Sequence, residues 1–355
     1  LVPTVRPLQR QWPHARITWI IGRAEASLVG DIPGVEFIIF DKSRGWKAYR
    51  DLARVLKGRR FDVLFHMQVS LRASLASLLV RAAIRLGFDR PRAKNGQWLF
   101  TNHRIRPVPR QHVLDGFLEF PRALGIEETV MAWDIPIPET AKEFAERHLA
   151  GTGRWLAINP CSSNRARNWR NWSVENYAAV LDYAASEHGL KTVLTGGPAE
   201  EEMTFGRRIE EAAAHEPLNL IGATNLKELL AVLQRATVLA APDSGPVHMA
   251  VAAGTPGTPV NRTCTSTSRT TRSRTSEQGF PSSSRRRPTT PTWSRPTVNR
   301  PTSTVGRRSR TTRLRGERTV TGLDPDRVAV PARRGFGRRE RATVSFGWPK
   351  DIEER

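Results

Sequence analysis

The chain has 355 residues, with 56 Lys+Arg against 34 Asp+Glu and a formal net charge of +22. That length accommodates two ordinary domains, and so basic a balance taken alone suggests a nucleic-acid or membrane-surface binder. Two cysteines, Cys161 and Cys264, give no disulfide framework or metal-ligand spacing, and no apolar run approaches the ~20 residues of a membrane span.

Residues 1–257 alternate between strand and helix patterns. Ile17–Ile21 and Val35–Phe40 are β-branched and aromatic runs, the second introduced by the turn signal Asp31-Ile32-Pro33-Gly34. A helix is predicted over Ala48–Leu56, a strand over Phe61–Met67 and a helix over Leu71–Arg81. A strand at Ile84–Phe88 and a helix at Val113–Ala123 follow, and Trp133–Pro138 reads as a connector. The pattern then restarts with strand Trp155–Asn159, helix Val174–Glu187, strand Lys191–Thr195 and helix Glu200–Ala214. Strand Asn219–Ile221, helix Leu226–Arg235, strand Thr237–Ala241 and a helix beginning near Pro246 complete it. Such alternation with short connections predicts parallel sheets covered by helices on both faces. Two runs joined by a Pro-containing linker predict two Rossmann-like domains facing a cleft, over residues 1–138 and 139–257.

After Gly257 the composition breaks. Residues 258–355 hold 23 Lys+Arg against 8 Asp+Glu, a net of +15, which leaves 33 against 26 for residues 1–257. Thr258–Arg318 is dominated by Thr, Ser, Arg and Pro and sustains no period, so a disordered, low-complexity tail is expected over 258–355. Three readings of it stand side by side: a native basic tail, a nucleic-acid-binding arm, or translation in a shifted frame. Aromatic residues within Thr258–Arg318 are sparse (Phe280, Trp293), which supports no specific nucleic-acid partner.

Three turns carry chemistry. Pro242-Asp243-Ser244-Gly245-Pro246-Val247-His248 lies between a strand and a helix, where Ser244 and Gly245 can present backbone N–H groups to an anion and His248 a further donor. The bland alternative is a helix capped by Asp243 or Ser244. Asn159-Pro160-Cys161-Ser162-Ser163 also follows a strand and leads through the Arg167-Asn168-Trp169-Arg170-Asn171-Trp172 segment; hydroxyls and forked arginine donors there suit phosphate, as they suit a solvated loop. Leu194-Thr195-Gly196-Gly197-Pro198 permits close ligand approach, and a carboxylate beyond it can hold ribose hydroxyls, although acidic residues also open helices routinely. No G-x-G-x-x-G or Walker A pattern is present, which argues against dinucleotide oxidoreductases and P-loop enzymes.

Taken with Arg16–Gly22, the Arg-Asn-Trp segments and Met249–Pro256, these turns make residues 2–257 resemble the family 9 glycosyltransferases, the lipopolysaccharide heptosyltransferases. The resemblance implies a GT-B architecture and inverting transfer of heptose from an ADP-sugar to an inner-core hydroxyl, without cofactor or metal. It implies diphosphate contacts at Ser162, Ser163 and Arg170, with Arg167 as alternate, and a nucleotide site completed by Gly196, Gly197, Glu200 or Glu201, Asp243, Ser244, Gly245 and His248. It further implies an ADP-sugar donor and a lipid A-core acceptor at the inner membrane surface, in the cytoplasm, with peripheral membrane contact as an option. The family's general-base aspartate is expected before Leu1, together with a first strand whose absence would bare a neighbouring strand edge. The chain as written is therefore expected to be a fragment with little activity, and a catalytically inactive nucleotide-sugar-binding remnant is the alternative. His66-Met67-Gln68, and the basic stretch from Phe88-Asp89-Arg90 through Lys94 to Arg104, are candidates for acceptor contact beside their structural reading.

Overall fold

A computed structural model describes residues 1–127, 131–162, 171–260 and, for the backbone, 341–345. Its strands form two all-parallel sheets. The first contains β1 (Arg16–Ile21), β2 (Val35–Ile39), β3 (Phe61–His66), β4 (Ala82–Gly87), β5 (His103–Arg104) and β11 (Arg341–Ser345), in the order β2-β1-β11-β3-β4-β5. The second contains β6 (Trp155–Ile158), β7 (Lys191–Gly196), β8 (Leu218–Ile221), β9 (Val238–Ala241) and β10 (Gly257–Pro259), in the order β10-β9-β6-β7-β8. Parallel neighbours need crossover connections, and helices supply them. On the first sheet these are α1 (Val2–Gln11), α2 (Arg23–Val29), α3 (Trp46–Leu56), α4 (Leu71–Ser77) and α5 (Val113–Arg122). On the second they are α6 (Glu139–His148), α7 (Val174–His188), α8 (Glu200–Ala212), α9 (Leu226–Arg235) and α10 (Gly245–Ala253).

Local chemistry explains the better-marked helices. α3 buries Ala48, Leu52 and Leu56, one stripe at a spacing of four. α9 opens on a capping box: Asn225 Oδ1 accepts from the Lys227 and Glu228 amides at 2.9 and 3.0 Å, and Glu228 Oε2 accepts from the Asn225 amide at 2.8 Å. Its apolar face, Leu229, Leu230, Val232 and Leu233, then enters the core under the second sheet. The connector is pinned: Arg6 donates to the carbonyls of Trp133 and Asp134 at 3.2 and 2.7 Å, and Ile135 packs against the cores of both sheets. Lys227 Nζ bridges to both carboxylate oxygens of Asp31 at 2.7 and 2.8 Å, tying α9 to the chain after α2.

One expectation is corrected. The helix predicted to reach Arg81 ends at Ser77, because the amides of Leu78, Leu79 and Val80 each bond to the carbonyl three residues back. Arg85 donates to the Ser77 and Val80 carbonyls at 2.9 and 2.8 Å, the Ser77 carbonyl also accepting from the Val80 amide, and the chain turns into β4. At and beyond Gly257 two short strands are described. Gly257–Pro259 extends the second sheet alongside β9, and Arg341–Ser345 enters the first sheet between β1 and β3. Both strands flanking that slot are therefore paired, with no bared edge there; a strand's backbone donors and acceptors are satisfied by any extended segment, whatever its composition.

Candidate functional site

In an open parallel sheet ligands bind beyond the carboxyl ends of the strands. The three predicted turns follow β9, β6 and β7, which are neighbours in the second sheet. Adjacent strands lie about 4.8 Å apart, so the turns stand side by side across about 10 Å.

The turns are also wired together. The buried Asn159 receives its place from the Ala240 carbonyl, to which its amide donates at 3.0 Å, while its side chain donates to the Thr195 carbonyl at 3.0 Å. Thr195 and Tyr177, both fully buried, secure the floor; the Tyr177 hydroxyl donates to the Pro160 carbonyl at 3.1 Å. Ser162 donates its amide to Asn171 Oδ1 at 3.0 Å, which curls the turn after β6 toward α7. Burial first, and the nearby Glu202 second, push the Cys161 thiol up to about 12, so it stays protonated and is no nucleophile. Ser163, Arg167 and Arg170 lie outside the described residues.

At the glycine turn a carboxylate folds back. Glu202 Oε2 accepts from the Gly197 amide at 2.6 Å, and a Cβ on Gly196 would stand 3.0 Å from that oxygen. Glu200, in contrast, is exposed and paired with Arg207 at 3.1 Å, and Glu201 is exposed. The structure thus brings a third acid, Glu202, to the turn where sequence reasoning named the two before it. Glu202 is the third residue of α8, the position from which a glutamate characteristically reaches back past a helix start, and that was the available signal.

The turn after β9 answers the capping alternative for Ser244. Ser244 is the N-cap of α10 but makes no side-chain cap; its hydroxyl donates instead to the Pro242 carbonyl at 2.9 Å. A Cβ built on Gly245 meets nothing within 4 Å, so the space before the first turn of α10 is open. Asp243 and His248 are exposed on either side of it. Partial burial holds the His248 pKa below the ordinary histidine value; Asp243 pulls the other way, and the N-terminal ammonium and then His112, the N-cap of α5, add smaller lowering contributions. The arrangement is a row of backbone donors at a helix start, with a neutral imidazole and two carboxylates near it, which suits a phosphate-bearing ligand carrying hydroxyl groups.

The first sheet's candidates behave differently. His66 is fully buried, with Nε2 3.1 Å from Ser74 Oγ, and burial ahead of the Arg85 charge lowers its pKa to about 4. It is a neutral core residue. Phe88 packs against Phe117 and Phe120, and Asp89 pairs with Arg92. Among the described residues no group of His, Cys, Asp and Glu is suited to hold a metal, and no helix is long and apolar enough to cross a membrane.

Residues 49–274 match the profile of glycosyltransferase family 9 (heptosyltransferase). The chain is 36% identical over 252 residues to the lipopolysaccharide core heptosyltransferase OpsX of Haemophilus influenzae, covering 71% of this chain and 72% of that one. It is 22% identical over 264 residues to lipopolysaccharide heptosyltransferase 3 of Escherichia coli, covering 72% and 76%. Among solved structures, a family 9 glycosyl transferase from Veillonella parvula superposes with a TM-score of 0.61 at 24% identity, covering 72% of this chain and 75% of that one. E. coli heptosyltransferase WaaC with ADP-2-deoxy-2-fluoro heptose superposes at 0.60 with 18% identity, covering 72% and 82%.

Proposed function

The chain belongs to glycosyltransferase family 9, and from that premise we propose that it moves heptose from ADP-heptose to a hydroxyl of the lipopolysaccharide inner core with inversion. In this reading the acceptor hydroxyl gives its proton to a general base as its oxygen attacks the anomeric carbon, the bond to the diphosphate breaks, and ADP departs carrying the charge. Fixed donors at the diphosphate stabilise that charge as it develops. The Ser244–Gly245 amides and His248 are assigned to it, with Ser162 from the neighbouring turn and Ser163, Arg170 or Arg167 from the adjoining segment. Ribose hydroxyls are assigned to Glu200 or Glu201 beyond Gly196 and Gly197. Residues 1–138 form the acceptor side and 139–257 the nucleotide side, and the acceptor is a lipid A-core molecule at the inner membrane surface.

The observation that carries this reading is the helix start of α10. A serine in the N-cap position turns its hydroxyl away and leaves the approach to Gly245 open. A purely structural turn would cap the helix, which is worth about 1 kcal/mol. Isothermal titration of the full chain with ADP and with UDP tests the proposal. ADP should bind more tightly, and Asp243→Ala and His248→Ala should each weaken it by about 1.5–3 kcal/mol while the fold is retained. Tighter UDP binding, or unchanged affinity in both variants, would reduce the turn to a helix start.

A further inference from the structure

We propose that α4 and the 3₁₀ turn Lys94–Leu99 beside it form a docking face for an anionic lipid bilayer. The proposal concerns a surface distinct from the donor site and does not depend on which nucleotide that site takes. Leu71 and Leu75 stand one turn apart on α4 and Leu78 follows at its C-cap, and they are 54%, 36% and 59% exposed. Trp98 and Leu99, on the adjoining turn, are 37% and 67% exposed. Five large apolar side chains thus stand in water on two elements that touch.

The elements are held as one platform. Arg85 donates to the Ser77 and Val80 carbonyls at the end of α4 and to the Phe100 carbonyl, at 2.9 Å, just past the 3₁₀ turn. Asn95 donates to the Val69 carbonyl at 3.2 Å, and the buried Gln97 reaches the His66 carbonyl at 2.7 Å. The face is therefore preformed and needs no refolding to meet a flat partner.

Charge selects that partner. From His66 to His112 there are nine Lys+Arg and one acid, Asp89, which is already paired with Arg92. Arg72, Arg81, Arg90 and Lys94 are exposed within or at the margins of the apolar group, and the Arg90 guanidinium lies over the Trp98 ring, 5.4 Å from its centroid. Leucines that enter the acyl boundary, a tryptophan at headgroup depth and flanking arginines toward lipid phosphate are the makings of an interfacial surface.

The test uses the full chain and vesicles of phosphatidylcholine with or without phosphatidylglycerol. Residues 258–355, net +15, also attract anionic vesicles, so position is read from Trp98. Brominated lipid should quench a component of the emission that Trp98→Phe removes, and only when phosphatidylglycerol is present. The exposed-site double variant Leu78→Ser/Leu99→Ser should lower partition about tenfold with an unchanged circular dichroism spectrum. Three results would overturn the proposal: quenching identical in Trp98→Phe, partition unaffected by the leucine variant, or a wild-type dimer that the leucine variant dissolves.

Discussion

At the end of β3 the last side chain, His66, is sealed from solvent, and Gln97 closes over it by donating to the His66 carbonyl at 2.7 Å and accepting from the Phe88 amide at 3.2 Å. At the end of β9 the corresponding region is open: Asp243 and His248 are exposed and the Ser244 side chain makes no cap. Both turns occupy the same place in a parallel sheet. Their difference lies in exposure: the polar side chain at the end of β3 is closed over by protein, and those at the end of β9 meet solvent. Topology makes both ends eligible for a ligand, and of the two the β9 end is the one open to solvent.

That contrast is breakable by substitution. Gln97→Leu should be the most damaging change, because it strands the His66 carbonyl and the Phe88 amide, and two buried orphan groups cost about 2–5 kcal/mol together. Urea unfolding would measure it, and a loss below about 1 kcal/mol would show that the β3 end is not sealed as described. The next effect is a pH dependence. With the His66 pKa lowered to about 4 from the ordinary 6.5, the unfolded chain takes up its proton first as pH falls. Stability from this residue is complete above about pH 6.5, declines toward pH 4 and then levels, a loss of ~3 kcal/mol. Subtracting the pH profile of His66→Gln should isolate that slope, and identical profiles would place His66 in contact with water. Smallest in free energy, and most pointed, is Gly245→Val. The open space at its Cβ predicts little change in the unfolding midpoint but a loss of about 1–3 kcal/mol in ADP affinity. The reverse pattern would make the β9 end structural.

Much of the second sheet was legible because its signals are local. α9 announces itself with Asn225 and Glu228 at capping-box spacing ahead of a leucine stripe, and it spans the predicted residues Leu226–Arg235. α6 gave no such signal, since its buried positions are Ala141 and Ala145, small residues that draw no apolar stripe. α2 is similar, burying only Val29. The three site turns were readable because each follows a clear strand; Glu202 was not singled out because three consecutive glutamates look alike until the helix start fixes which one points back. β11 was illegible for a different reason. Five residues set among arginines carry no period, and the partner that makes them a strand lies at the other end of the chain.

That last pairing reverses the usual order of assembly. Ser345 lies opposite His66 in β3, 279 positions away in sequence, whereas the second sheet is built entirely from residues between Trp155 and Pro259. A ribosome adding about 5–20 residues per second needs on the order of tens of seconds to travel from β3 to β11. Over that interval β1 and β3 have emerged without the strand that joins them, and the later-made sheet already has every strand it requires. The amino-terminal sheet is then the last to close, and its closure carries the loop-entropy cost that slows nonlocal pairing. Holding factors that bind extended apolar segments would find their longest opportunity at β1 and β3, and a refolding record should show the second sheet gaining amide protection first.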